Sequence, residues 1–166
     1  MIKLTPRSLF LVTPLLLSAC GEPTVETSEV EEVATRATPF LLFQGGKAEE
    51  AMDFYTSLFA DGEILSIERY GPEGPGAEGT VFEAEFRVAG QLVRVTDSPT
   101  PHDFDFTPAW SFFVDCTSEE EIQALAQALT EGGMTMMPLD DYGWSQQFAF
   151  VQDRFGISWQ INLPFE

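Results

Sequence analysis

Two hydrophobic rhythms alternate along this chain. Ala51, Phe54, Tyr55, Leu58 and Phe59 recur at helical spacing and stop at Asp61-Gly62. Ile122, Leu125, Ala126 and Leu129 do the same before Gly132-Gly133. Ahead of the second run, Thr117 with Glu120, or Ser118 with Glu121, forms a capping-box pattern that satisfies free N–H groups at a helix start.

Around the helices the rhythm shortens to strands, and it repeats. Thr38-Pro39-Phe40-Leu41-Leu42-Phe43 lies over Thr107-Pro108-Ala109-Trp110-Ser111-Phe112. Val81-Phe82 through Gly90 to Arg94 lies over Gln147-Phe148 through Gly156 to Gln160. In each copy a glycine separates two β-rich runs, which predicts a tight hairpin. With weaker second strands at Ile64–Tyr70 and Thr135–Pro138, each half reads β-α-β-β-β.

Strand periodicity sends alternate residues to opposite faces. Leu92, Arg94 and Thr96 share one face, and Val93 and Val95 the other, which should pack on a helix. Ser158, Gln160 and Asn162 likewise oppose Trp159, Ile161 and Leu163.

The first forty residues follow another logic. Lys3 and Arg7 precede a short apolar run, Leu9 to Leu17, which is too short to span a bilayer comfortably and reads as an export signal. Leu17-Ser18-Ala19-Cys20 resembles the lipobox of bacterial lipoproteins. That resemblance implies cleavage after residue 19, lipid on Cys20, and a protein held in the cell envelope facing away from the cytoplasm, with the membrane as partner. Residues 20–37, with five glutamates and too few large apolar residues to bury anything, read as a flexible acidic tether, and residues 38–166 as one folded domain.

The net charge of −19 reflects 27 acidic against 8 basic residues, two of the latter within the signal. Such a surface repels nucleic acid and favours solubility. With Cys20 committed to lipid, Cys116 has no intramolecular disulfide partner, so the core must stand on packing. Cys116 precedes a helix start but has no basic neighbour in sequence, which marks it as an inert thiol.

The repeated β-α-β-β-β unit resembles the vicinal oxygen chelate superfamily of glyoxalases, bleomycin-resistance proteins and extradiol dioxygenases. Pro39-Phe40-Leu41-Leu42-Phe43, Ala48-Glu49-Glu50-Ala51-Met52-Asp53-Phe54-Tyr55 and Asp153-Arg154-Phe155-Gly156-Ile157-Ser158-Trp159-Gln160-Ile161 resemble its PhnB-like branch. The resemblance implies an α+β fold in which two βαβββ repeats form a cup-shaped mixed sheet. It also leaves a homodimer open, since such folds pair modules within or between chains.

In metal-dependent members of this superfamily, the first and fourth strands of each half supply His, Glu or Gln ligands. The repeat places the corresponding positions near Phe40, Ala109, Arg94 and Gln160, of which only Gln160 could serve. No metal, catalytic residue or cofactor is therefore expected. Many relatives carry a methyltransferase label, but the only glycine-rich stretch, Gly71 to Gly76, lies between two strands and carries two prolines and a glutamate, so methyl transfer is not expected.

The implied cup interior offers Phe40, Arg94, Trp110, Phe113 and Gln160 to a small anionic or carbonyl-bearing ligand. Against this stands a structural role, with Arg94 paired to Glu83 or Glu85 and Gln160 completing a polar network. His102, the only histidine, reads as a surface-loop residue. Asp140 and Asp141, adjacent in a turn-like stretch near Tyr142 and Trp144, do not make an acid-base pair. Three functions stay open: a non-catalytic binding domain, a metal-dependent lyase or dioxygenase with atypical ligands, and a structural or envelope-interaction protein.

Overall fold

The computed structural model describes residues 35–165. Cys20 and the signal-like segment lie outside the described residues. Along the chain run β1 (Phe40–Phe43), α1 (Ala48–Leu58), β2 (Glu63–Arg69), β3 (Val81–Val88) and β4 (Gln91–Asp97). The second half repeats them as β5 (Phe112–Asp115), α2 (Glu119–Thr130), β6 (Met134–Asp140), β7 (Gln147–Gln152) and β8 (Ser158–Leu163). This is the α+β fold of two βαβββ repeats.

The repeats form two four-stranded mixed sheets with matching orders, β1-β4-β3-β2 and β5-β8-β7-β6. In each, the first strand runs parallel to the fourth and the remaining neighbours are antiparallel. Register corrects the internal alignment. Phe40 pairs with Arg94 and Phe113 pairs with Gln160, so the counterpart of Phe40 is Phe113 and not Ala109. The shared Thr-Pro start misleads because Pro108 lies in a turn with Ala109 in the second half, whereas Pro39 leads directly into a strand.

Val93 and Val95 face the helix side with Ala84 and Phe86, against Ala51, Met52 and Tyr55 of α1. Trp159 and Ile161 take the same place beneath Ile122, Leu125 and Leu129 of α2. The two halves share one core. Trp159 is fully buried, its ring 5.3 Å from Tyr55 and 6.0 Å from Phe59 of the first half. A large aromatic side chain buried in this way contributes about 2 to 3 kcal/mol from area alone.

Each helix starts by a different device. In α2, Ser118 accepts from the Glu121 N–H at 3.2 Å, while the Glu121 carboxylate reaches back to the Thr117 N–H at 2.7 Å. In α1 the preceding residue, Lys47, provides no side-chain cap. Asp97, buried at the end of β4, accepts instead from Ala48 N–H at 2.9 Å and from Val81 N–H at 3.0 Å, joining helix start to sheet. Both helices leave through glycines at close backbone approaches. A Cβ at Gly62 would lie 2.0 Å from the Thr56 carbonyl oxygen, and one at Gly133 would lie 2.2 Å from that of Gln152.

Candidate functional site

The two hairpins predicted to be tight differ. Between β3 and β4 the turn is two residues, Ala89 at φ 48° and Gly90 at φ 75°, whose N–H groups both donate to the Asp61 carboxylate. Between β7 and β8 the loop is wider and is organised by a buried acid. Asp153 accepts from the N–H groups of Phe155 at 2.8 Å and Ile157 at 3.1 Å, and from the Trp159 indole N–H at 2.8 Å. Burial raises the Asp153 carboxyl above its ordinary range, opposed by the indole donor and by its other hydrogen-bond donors. Burial, and then the Asp153 charge, raise the neighbouring Tyr55 hydroxyl well above its usual value.

The sheet faces directed away from the helices carry the candidate binding residues. On β4, Arg94 pairs with Glu83 and lies 3.1 Å from Glu85, both on the neighbouring β3. Its guanidinium is thus held between two carboxylates, half exposed. Phe40 is its register neighbour on β1, with more than half of its surface open. On β8, Gln160 donates to the Ser111 hydroxyl at 2.8 Å, beside the exposed Phe113.

Trp110 links these groups. Its ring packs edge-on against Phe112 at 4.7 Å and borders two clefts. One cleft, about 370 Å³, lies between Pro39-Phe40-Leu41, the 105–110 segment and Ile157-Ser158. The other, about 440 Å³, lies between Ser111 to Val114 and the Val88 to Gln91 hairpin. Phe40 shares the first with Trp110 and Phe113 shares the second. Neither Arg94 nor Gln160 lines either cleft.

The chain between the halves is fastened to Gln44, the residue that follows β1. The Gln44 side chain donates to the Phe104 carbonyl at 2.8 Å and accepts from the His102 N–H at 2.7 Å. The His102 ring contacts the Ser98 hydroxyl at 2.8 Å and stacks on Phe104. His102 therefore fastens a loop. Tyr142 and Trp144 stack on each other beside Phe148, and the Tyr142 hydroxyl donates to the Pro138 carbonyl. The Asp140 and Asp141 carboxylates accept from backbone N–H groups of their own turn.

Cys116 is buried, and its thiol is pushed up to about 12 by burial and by Glu121 and Asp115. Gly71 to Gly76 form turns between β2 and β3, folded close over the Tyr70 ring. The structural carboxylates of Asp97 and Asp153 were not singled out from sequence. Asp97 left a signal there, since it continues the helix-facing alternation of Val93 and Val95.

Comparisons with known proteins agree with this architecture. The family model described as 3-demethylubiquinone-9 3-methyltransferase matches residues 35–162. A Bacillus cereus structure described as a putative 3-demethylubiquinone-9 3-methyltransferase, PhnB protein, is 49% identical. It covers 78% of this chain and 99% of its own, with a TM-score of 0.75. A Pseudomonas aeruginosa protein at 24% identity covers 80% of this chain and 100% of its own, with a TM-score of 0.69. A glyoxylase/bleomycin resistance protein/dioxygenase domain from Frankia shares the fold at 16% identity and a TM-score of 0.53, covering 80% of this chain and 99% of its own. No curated protein sequence matches. The chain belongs to the 3-demethylubiquinone-9 3-methyltransferase family, within the PhnB-like branch of the vicinal oxygen chelate superfamily.

Proposed function

We propose that this chain displays a PhnB-like domain on an extracytoplasmic membrane surface, tethered by lipid on Cys20, and that the domain binds a small molecule without transforming it. The observation that carries the binding reading is Trp110, whose half-exposed ring borders two clefts, one shared with Phe40 and one with Phe113. Both clefts fall within the range of about 300 to 1,000 Å³ that small-molecule sites occupy.

Of the two ligand classes open from the sequence, a carbonyl-bearing molecule fits better than an anion. An anion would have to displace Glu83 and Glu85 from Arg94, and both carboxylates are built into the adjacent strand. The metal-dependent reading meets a different obstacle. Phe40, Arg94, Phe113 and Gln160 stand at the ligand positions of the repeat, and together they offer one neutral oxygen donor where a catalytic metal needs about three ligands. For methyl transfer, the glycine-rich stretch joins two strands and opens no helix on which a cofactor could rest.

The test is a thermal-shift panel of neutral carbonyl compounds and small carboxylates against wild type, Trp110→Ala and Arg94→Ala. Neutral carbonyl compounds should raise the melting temperature of wild type and Arg94→Ala but not of Trp110→Ala. Carboxylate shifts that vanish in Arg94→Ala would restore the anionic reading. A panel without shifts would favour the envelope-interaction protein, and a stoichiometric transition metal in purified protein would revive the lyase or dioxygenase. For the tether, mass spectrometry of the mature chain should find a diacylglyceryl group on Cys20, and an unmodified chain starting elsewhere would remove it.

A further inference from the structure

Among the described residues three buried side-chain atoms lack a hydrogen-bond partner: the Tyr55 hydroxyl, the Gln147 carbonyl oxygen and the Ser158 hydroxyl. Tyr55 sits in the closed core. Ser158 is the one of the three that lines either of the clefts beside Trp110. It is almost completely buried, at 1% exposure, at the first position of β8.

The neighbours of Ser158 are committed elsewhere. Gln152, its register partner, donates its side-chain amide to the Gly156 carbonyl at 2.8 Å. The Asp105 carboxylate, at the mouth of the same cleft, accepts from the Phe106 N–H at 2.8 Å. Alanine at position 158 would fill the same backbone site without a desolvated hydroxyl, so an unpaired one there asks for a partner from outside.

The walls say what kind of partner. Phe40, 53% exposed, and Trp110, 46% exposed, both line the cleft and present apolar aromatic surface to it, which suits an apolar ligand. Phe106 closes the inner side, held edge-on to Phe43 at 5.0 Å. Among the described residues no cationic side chain lines the cleft, Asp105 is the charge at its mouth, and the whole chain carries −19. That field repels carboxylates and phosphates.

We propose that the cleft between Phe40, Trp110 and Ser158 is a binding site for an uncharged, planar aromatic compound whose single hydroxyl or carbonyl group hydrogen-bonds the Ser158 side chain. This rests on the small-molecule reading above and sharpens it, selecting one of the two clefts and one polar contact. Ring faces would cover Phe40 and Trp110, while the oxygen would satisfy the buried serine.

Three probes of one shape separate the contributions: 2-naphthol, naphthalene and 2-naphthoate. They are titrated into the folded protein with the Trp110 indole N–H and the backbone N–H signals of both clefts followed by NMR, using wild type and Ser158→Ala. In wild type, 2-naphthol should shift the Trp110 signal and bind more tightly than naphthalene, with 2-naphthoate weakest. Ser158→Ala should weaken 2-naphthol about fivefold, as the loss of one hydrogen bond predicts, and leave naphthalene within about twofold. Its denaturation midpoint should equal or exceed that of wild type, because the lost hydroxyl had no partner.

Equal 2-naphthol affinity in the two proteins would overturn the assignment of Ser158. So would tighter binding of 2-naphthoate, which would contradict an uncharged ligand. Shifts confined to residues around Phe113 would move the site to the other cleft and leave the small-molecule reading standing. Silence from all three probes, together with silence in the thermal-shift panel, would remove both.

Discussion

Trp159 donates its indole N–H to the Asp153 carboxylate at 2.8 Å, so the acid that shapes the β7–β8 loop also fixes the ring at the seam of the two halves. One carboxylate oxygen serves two backbone N–H groups and the other serves the indole. Asp153→Ala would orphan three donors at once and should cost about 3 kcal/mol or more in denaturant unfolding. Asp153→Asn keeps one oxygen but turns an amide N–H toward a donor, so it should recover only part of that loss.

The same residue gives a pH signature. Because burial raises the folded carboxyl above its ordinary value, the native state holds this proton more tightly than the unfolded chain. Its contribution to stability is complete below the ordinary carboxylate range and is lost as pH rises through the raised value. Urea midpoints measured from acid to neutral pH should therefore fall more steeply for wild type than for Asp153→Asn. Parallel curves would show that Asp153 titrates normally in the fold.

Asp61 and Ala89 form a second testable unit. Ala89 occupies the left-handed region at φ 48°, which costs a non-glycine residue about 1 to 2 kcal/mol, and the Asp61 carboxylate accepts from both turn N–H groups. Ala89→Asn, with the residue that two-residue turns of this hand prefer, should stabilise the protein by about 0.5 to 1 kcal/mol. Asp61→Ala should destabilise it by about 1 kcal/mol, since the bonds are solvent-exposed. A double-mutant cycle should show the two effects coupled through the shared turn.

These acids mark where sequence reasoning reached its limit. The helices and the helix-facing valines follow from periodicity, and the Ser118/Glu121 cap from local spacing, because each depends on residues within one turn or strand. Asp97 and Asp153 act differently. Asp97 joins N–H groups that are 49 and 16 residues away in sequence, and no local pattern encodes such partners. The candidate site divides along the same line. Phe40, Trp110 and Phe113 were legible as apolar positions near strand starts, but Ser158 acquires its interest only from a partner it lacks. The Thr-Pro wording of the two starts points to Ala109, whereas pairing to the fourth strand makes Phe113 the counterpart of Phe40.

Cys116 gives a prediction about reactivity. Its thiol is buried on the helix side and raised to about 12, first by burial and then by the charges of Glu121 and Asp115, which outweigh the helix start that follows it. At pH 8 such a thiol stays protonated, whereas an ordinary exposed cysteine is partly ionised. Iodoacetamide at that pH should leave Cys116 unmodified in the native protein and label it fully in urea, with mass spectrometry as readout. Labelling should require the junction between the β5 end and the α2 start to open, whether locally or by global unfolding. Ser118→Ala, which removes the cap of that helix, should raise the native labelling rate by loosening this junction, while Ala89→Asn at the far hairpin should lower it only as far as it raises global stability. Rapid labelling of the native wild type would overturn this assignment and make Cys116 an accessible thiol.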